Sequence, residues 1–334
     1  MENTSIVSRI EKAETEIRAK LPGLFIRVNE PMREHCSFKA GGPVRLFLVP
    51  QDINSLSILC SILKDNKLAP FLLGNGTNVV FPDEGTPELI VISTEKLQGL
   101  RLLGENVIYA ECGVSLSRLA SFAQENGLSG LEFASGIPGS VGGGTMMNAG
   151  AYGGELKDVV DSVVIYYLPE QRLYELDNAQ CDFSYRHSLF QTMPGCLILS
   201  TVFRLQKGDA SAIGEKMKEL NARRREKQPL DLPSAGSAFK RPEGYYAAAL
   251  IEEAGLRGVS CGGAMVSEKH TGFIVNTGDA TAADLYSLMD RVRHAVYEKS
   301  GVTLEPEIIL IPPDYRLEDN GPAIPKNLTG GELP

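Results

Sequence analysis

Between Gly136 and Gly154 the chain reads GIPGSVGGGTMMNAGAYGG, in which eight of nineteen residues are glycine and none is charged. Such a run makes a poor helix or strand interior, because glycine loses more backbone freedom on folding than any other residue. What it offers is a backbone that can turn with positive φ and approach another group closely. Gly142, Gly143 and Gly144 present successive amides with no side chains to screen them, a pattern that can form an anion-binding nest. An ordinary glycine-rich surface loop has the same composition, so the stretch alone leaves two readings open.

A second loop narrows them. Gly74-Asn75-Gly76-Thr77-Asn78 follows the apolar Phe71-Leu72-Leu73 and precedes Val79-Val80-Phe81. Strand, tight polar turn and apolar run together supply amide and hydroxyl groups suited to a diphosphate. Neither loop carries the GxGxxG of a dinucleotide-binding βα turn with its following acid, and no GxxxxGK[ST] is present. Two backbone cradles without those signatures fit a long ligand with an extended diphosphate, such as FAD.

At 334 residues the chain can form two or three domains with a sizeable core. Its 33 basic and 42 acidic residues give a net charge of −9, which argues against a nucleic-acid or membrane-surface binder. An anionic substrate must then meet a local basic patch. Cys36, Cys60, Cys112, Cys181, Cys196 and Cys261 form no CxxC and read as free thiols of a reducing compartment. His35, His187, His270 and His294 lack metal-ligand spacing, so no metal is expected. No apolar run reaches membrane-spanning length, and charges interrupt the N-terminus where a signal peptide would be apolar. A cytosolic location is expected.

Periodicity gives the organisation. Ile6, Ile10 and Ile17 mark an opening helix that Leu21-Pro22-Gly23 ends. Strands are expected at 44–49, 70–73, 88–93, 107–112, 161–167 and 197–205, with helices at 53–66 and 115–126. A polar helix over 209–227 ends in Arg223-Arg224-Arg225-Glu226-Lys227. Tyr245–Ala254 reads as a helix, 264–276 as a strand pair, and Thr281 opens a helix that ends near Gly301 with Leu285, Leu288, Met289, Val292 and Val296 inward. Val302–Ile311 reads as one last strand. Mixed strands and helices with long loops indicate an α+β fold rather than strict βαβ alternation. The expected division is an N-terminal helix within 1–30 packed on an FAD-binding domain at 31–205, a smaller α+β substrate-binding domain at 206–312, and a proline-bearing mobile tail at 313–334.

These loops, with the block Gly130-Leu131-Glu132-Phe133-Ala134-Ser135-Gly136-Ile137-Pro138-Gly139-Ser140-Val141-Gly142-Gly143 and Met147-Asn148-Ala149-Gly150-Ala151-Tyr152-Gly153, resemble the flavin domain of the UDP-N-acetylenolpyruvoylglucosamine reductases, also called UDP-N-acetylmuramate dehydrogenases. Tyr185-Arg186-His187-Ser188, Gly236-Ser237-Ala238-Phe239-Lys240 and Leu304-Glu305-Pro306-Glu307 match later motifs of that family in order. The resemblance implies a two-part FAD-binding domain of the vanillyl-alcohol-oxidase-like type, non-covalent FAD, NADPH as co-substrate, and UDP-N-acetylglucosamine enolpyruvate as the group reduced in peptidoglycan precursor synthesis. It implies no obligate protein partner. The cofactor residues it implies are Gly74, Asn75, Gly76, Thr77 and Asn78 in the first loop. In the second they are Gly136, Ile137, Pro138, Gly139, Ser140, Gly142 and Gly143, followed by Asn148, Ala149 and Gly150. A side chain at Gly142 is expected to crowd the ligand.

The resemblance also assigns catalytic roles. Ser237, otherwise an unremarked turn residue, becomes the general acid for the carbanion left by hydride addition. Arg186, otherwise a solvated arginine, binds the substrate carboxylate. Glu307 partners Arg186 and shares a proton with that carboxylate, which requires a raised pKa. Glu305 and Glu307 have the same strand parity, so periodicity cannot separate them. Lys227 corresponds to a phosphate-contacting lysine. Arg241 stands where some members carry asparagine, which places a guanidinium at the substrate. The interval from Arg186 to Ser237 is short for the class with an extra tyrosine-bearing loop, so the chain resembles the class that lacks it. Tyr245 and Tyr246 are candidates for its role by position only. Two rivals stay open: another oxidase or dehydrogenase on the same fold, and a non-catalytic nucleotide-sugar binding module.

Overall fold

The computed structural model of the protein describes residues 5–315. Helix α1 (Ile6–Lys20) buries Ile10, Ala13 and Ile17 and is opened by Ser5, whose side chain accepts from the Ser8 amide. Strand β1 (Phe25–Pro31) pairs antiparallel with β2 (Pro43–Val49). Helix α2 (Ile53–Asp65) starts at a reciprocal cap between Asp52 and Ser55. Strands β3 (Phe71–Leu73), β4 (Val79–Val80) and β5 (Thr86–Ser93) follow, and the first sheet runs β1-β2-β5-β3 with β2, β5 and β3 parallel. Both faces of β2 are covered: Leu46 and Leu48 join the large core that holds α1 and α2, and Phe47 and Val49 join a smaller one with Met32 and Phe81.

A second sheet is antiparallel. Strands β6 (Leu100–Leu102) and β7 (Val107–Glu111) form a hairpin, and helix α3 (Leu116–Glu125) and the short β8 (Leu128–Ser129) follow. Then come α4 (Val141–Met146), the small hairpin β9 (Gly150–Ala151) with β10 (Gly154–Glu155), and strands β11 (Val160–Tyr167), β12 (Arg172–Asp177) and β13 (Cys196–Arg204). Their order is β12-β11-β13-β7-β6. β13 is buried along all but its last residue, as a strand covered on both faces should be. A short β14 (Gln206–Lys207) pairs with β8 and leads into α5 (Ala210–Lys227).

The remaining unit is built from β15 (Ser234–Ser237), α6 (Ala247–Glu253), β16 (Ser260–Cys261), β17 (Ala264–Val266), β18 (Phe273–Asn276), α7 (Ala282–Ser300) and β19 (Ile309–Leu310). Its sheet reads β15-β18-β17-β16. Helix α7 begins at a reciprocal cap between Thr281 and Asp284 and ends at Gly301, with φ +70. Leu285, Leu288, Met289, Val292 and Val296 all face its core. Among the contacts that fasten this unit to the first, Asp83 accepts from the Ala282 and Ala283 amides at 2.8 and 2.9 Å, and Asn276 Nδ2 donates to the Phe38 carbonyl at 2.9 Å.

Three readings of the sequence need correction. The segment assigned to an N-terminal helix also contains β1, an edge strand whose mostly exposed residues show no alternation. The expected strand over 302–311 pairs as a ladder only at Ile309–Leu310, in parallel with β4. Upstream it serves a different neighbour: the Lys240 amide donates to the Glu305 carbonyl and the Glu307 amide to the Ala238 carbonyl. Pro306, which has no N–H, stands between them. Gly142, Gly143 and Gly144 form no nest, because they lie inside α4 and their amides are used by Cys112 O, Ser140 Oγ and Ser140 O. Of the tail expected at 313–334, Tyr315 packs edge-on to Phe71 at 6.0 Å, and 316–334 lie outside the described residues. Among the described residues no helix is long and apolar enough to cross a membrane, and no metal-binding cluster occurs.

The correction at α4 yields a test. A Cβ on Gly142 would lie 2.8 Å from Cys112 Cβ, so the glycine is needed for packing against the residue after β7. Gly142→Val should lower the thermal midpoint of the FAD-free protein by several degrees, as overpacking costs about 1–3 kcal/mol. An unchanged midpoint in a melting scan would show that the Cys112 side yields instead.

Candidate active site

The first glycine loop joins β3 to β4. Gly76 has φ +60, and a Cβ there would run into the His35 carbonyl. A Cβ on Gly74 would meet Ser140 Oγ, so the two glycine loops lie against each other. The loop is pinned from outside: the Ser37 amide donates to Gly76 O at 2.9 Å, and Ser37 Oγ donates to Ser234 O at 2.6 Å. The amides of Gly74, Asn75, Gly76, Thr77 and Asn78 donate to no acceptor among the described residues. The Gly139 and Ser140 amides of the second loop are likewise free among those residues. Seven backbone donors on two touching loops are a poor arrangement for a closed protein interior and a good one for a diphosphate. On this observation the loops fit FAD.

Not every residue assigned to the cofactor faces it in the same way. Asn148 is fully buried in the left-handed region, at φ +42. Its side chain donates to Glu155 Oε2 and Ser184 O and accepts from the Lys157 amide, all within 2.9–3.0 Å. It therefore fixes the chain between the second loop and the Ser184 turn. The Ala149 amide is bonded to Gly144 O, and the Gly150 carbonyl accepts from Arg186.

Arg186 sits at the tip of a reverse turn closed by mutual Ser184 and His187 backbone bonds of 3.1 Å. Its φ is +54, a region costly for a residue with a Cβ. Three contacts hold it there. Nε donates to Glu307 Oε1 at 2.6 Å, Nη2 donates to Gly150 O at 3.1 Å, and Cζ lies 4.9 Å from the Tyr185 ring centre. The paired side chains are 18% and 14% exposed. Burial raises the Glu307 carboxyl above its ordinary 4.5, and this outweighs the opposing pull of Arg186 and Lys240. Glu305, of the same parity, is 74% exposed and pairs with Lys240 at 3.3 Å. Burial thus separates two acids that periodicity could not.

Ser237 ends β15, opposite Phe273, after an irregularity at Gly236 with φ +82. Its hydroxyl is half-buried and has no hydrogen-bond partner among the described residues. The next carbonyl, that of Ala238, accepts from the Glu307 amide at 3.0 Å. Asn78 then donates from Nδ2 to Glu307 O at 3.0 Å and accepts from the Ile309 amide at 2.9 Å. Serine segment, acid segment and first loop are therefore laid side by side by backbone bonds.

The remaining assignments lie further out. Arg241 is exposed; its amide donates to Tyr185 Oη at 3.2 Å and its guanidinium lies 4.6 Å from the Tyr246 ring centre. Of the two tyrosines named by position, Tyr246 is the one held beneath it. Lys227 is exposed at the end of α5, close enough to His270 to depress its pKa, though burial of His270 is the larger cause. No contact among the described residues brings Lys227 to Arg186, Ser237 or Glu307. Ser37 and the Tyr185 hydroxyl, which tie the site together, escaped sequence reasoning. Ser37 belongs to no recognisable motif, and Tyr185 lies inside one whose arginine drew the attention.

A family profile described as an FAD binding domain matches residues 44–172, and one described as the C-terminal domain of UDP-N-acetylenolpyruvoylglucosamine reductase matches 228–311. The chain is 48% identical over 285 residues to a UDP-N-acetylenolpyruvoylglucosamine reductase of Caldanaerobacter subterraneus, covering 85% of this chain and 93% of that one. It is 46% identical over 284 residues to the reductase of Pseudothermotoga lettingae, covering 85% and 96%. The crystal structure of the Thermus caldophilus reductase superposes with a TM-score of 0.74 at 32% identity, over 86% of this chain and all of that one. The chain belongs to the UDP-N-acetylenolpyruvoylglucosamine reductase family and is an FAD-binding oxidoreductase of that activity.

Proposed function

We propose that the protein reduces UDP-N-acetylglucosamine enolpyruvate to UDP-N-acetylmuramate with NADPH as electron source, in peptidoglycan precursor synthesis. The observation that carries the reading is the largely shielded Arg186–Glu307 pair set beside a serine hydroxyl with no partner among the described residues. The chemistry supplied by bound FAD is hydride transfer, from NADPH and then to the enolpyruvyl methylene carbon.

The chain's own residues do the rest. Arg186 has five N–H donors, and those not engaged by Glu307 and Gly150 are available to the substrate carboxylate. Charge develops on that carboxylate as the enolate forms, and a fixed guanidinium in a water-poor site stabilises it. Glu307 is ion-paired to Arg186 before substrate enters, and its raised pKa lets it take up a proton when the substrate carboxylate arrives, so that two carboxyl groups can lie near one arginine. Ser237 delivers a proton to the carbon next to the reduced one and recovers it from solvent. Lys227 and Arg241 supply positive charge for the diphosphate and sugar.

Three experiments test the reading. Ser237→Ala should leave NADPH bleaching of the flavin near normal and slow reoxidation by the enolpyruvyl sugar about 10²–10⁴-fold. Stopped-flow of both half-reactions decides it; equal slowing of both would make the serine a cofactor or structural residue. Ser237→Cys should restore part of the rate.

Glu307 predicts a pH dependence. A raised pKa means the protonated form persists above the ordinary carboxyl range and is lost as pH rises through the raised value. Reoxidation should therefore fall with rising pH in the wild type, and Glu307→Gln should be slower with that limb flattened. Glu305→Gln should be milder and keep the wild-type profile. A larger defect from Glu305→Gln would reverse the assignment.

The FAD should be held without a covalent bond. Cys112, which packs behind Gly142, is buried with its thiol pushed up to about 12, an unreactive state. Acid precipitation should release all the flavin to the supernatant, and yellow colour left on the pellet would contradict this.

A further inference from the structure

Helix α5 lays its last turns against the second glycine loop. Asn221 Nδ2 donates to Ser135 Oγ at 3.2 Å, and a Cβ on Gly136 would run into Asn221 Oδ1 and sit 3.1 Å from Arg224 Cδ. Asn221 and Arg224, three residues apart, thus share one helix face, and that face covers Gly136. Its neighbour Arg223 points elsewhere: it is exposed, 3.7 Å from Glu219 and 5.2 Å from the Tyr152 ring centre.

Arg224 is half-buried, yet its guanidinium makes no hydrogen bond, ion pair or ring contact among the described residues. A cation partly withdrawn from water gains from a partner, and such groups are ordinarily paired. Burial lowers its pKa, with only Tyr152 acting in the opposite sense. The Gly136 amide beside it is also without an acceptor among those residues. A planar fork of donors and a free amide, side by side on a loop that already fits FAD, suit an anion.

We infer that Arg224, together with the Gly136 amide, receives a phosphate group of a bound nucleotide at the edge of the cofactor cradle. The inference rests on the flavoenzyme reading and adds a ligand to it. The phosphate has two sources, the diphosphate of FAD itself or that of an incoming nucleotide substrate, and affinity measurements separate them.

Arg224→Gln and, as a control of equal charge change, Arg223→Gln are made in the full chain. FAD affinity is measured by flavin fluorescence on FAD-stripped protein, and UDP and NADP⁺ affinities by calorimetry on FAD-loaded protein. Arg224→Gln should weaken one of these about ten- to a hundredfold, the range for losing a charge-assisted hydrogen bond. Loss confined to FAD assigns the phosphate to the cofactor; loss confined to UDP or NADP⁺ assigns it to the substrate. Arg223→Gln should change none of them. Arg224→Lys should recover part of the loss, since it restores charge without the fork.

Melting of the FAD-free proteins guards against a packing effect. Removing an unpaired half-buried cation should leave the Arg224→Gln midpoint equal to wild type or higher. Unchanged affinities for all three ligands, an equal loss in Arg223→Gln, or a lower FAD-free midpoint would each overturn the role of Arg224. A wild-type protein that takes up no FAD would instead sink the flavoenzyme reading.

Discussion

The Arg186–Glu307 ion pair is the interaction on which the site depends. It spans 121 residues of sequence and joins a turn of the antiparallel-sheet unit to the segment that leaves the last helix. Two charges that are mostly shielded from water are tolerable only with good geometry and further bonds. Here the arginine also bonds the Gly150 carbonyl, and the acid's backbone bonds both Ala238 and Asn78. Removing either charge would strand the other in a low-dielectric site. The pair also holds Arg186 in a left-handed conformation that costs of order 1–3 kcal/mol. A glycine would fit that turn without strain, so the strain is the consequence of needing a guanidinium at that point.

The glycines divide into kinds that composition does not distinguish. Gly74 and Gly76 are required because two loops and the His35 carbonyl leave no room for a Cβ. Gly142 is required by close packing on Cys112. The donors left for a ligand are backbone amides of the first loop and of Gly136, Gly139 and Ser140, while those of Gly142–Gly144 are spent inside the helix. A glycine run therefore marks close packing first, and the hydrogen-bond inventory then says where a ligand can sit.

Much of the fold is legible in the sequence where local rules and tertiary packing agree. Helix α7 carries its cap at Thr281, its buried stripe and its stop at Gly301 in the residue pattern itself. Strand β1 is not legible, because an exposed edge strand has no buried face to impose alternation. The over-long strand at 302–311 fails for a different reason: Leu304, Ile308 and Ile311 are real core residues, but its backbone changes partner at Pro306. For the site, motif resemblance supplies Arg186, Ser237 and Glu307, whereas the distinction between Glu305 and Glu307 needs burial. Arg224 is invisible in the run Arg223-Arg224-Arg225. Only the rotation of α5 against Ser135 and Gly136 decides which arginine loses its water.

The path of the last segment explains why reaction chemistry and cofactor cradle cannot be assembled separately. From Glu305 to Ile311 its backbone bonds first to the serine segment at 238–240, then to Asn78 of the first loop, then to Val80. Each bond fixes one part of the site against the next: acid to serine, acid to loop, core strand to core strand. Ser37 repeats the linkage from the other side, its amide donating to Gly76 O and its hydroxyl to Ser234 O of β15. The distance between a proton donor and a hydride source must be held to a fraction of an ångström for efficient transfer. A backbone ladder running through the Ser237 segment and the first glycine loop holds the two in fixed register without a long flexible side chain at any step, and it leaves the Ser237 hydroxyl with no partner among the described residues.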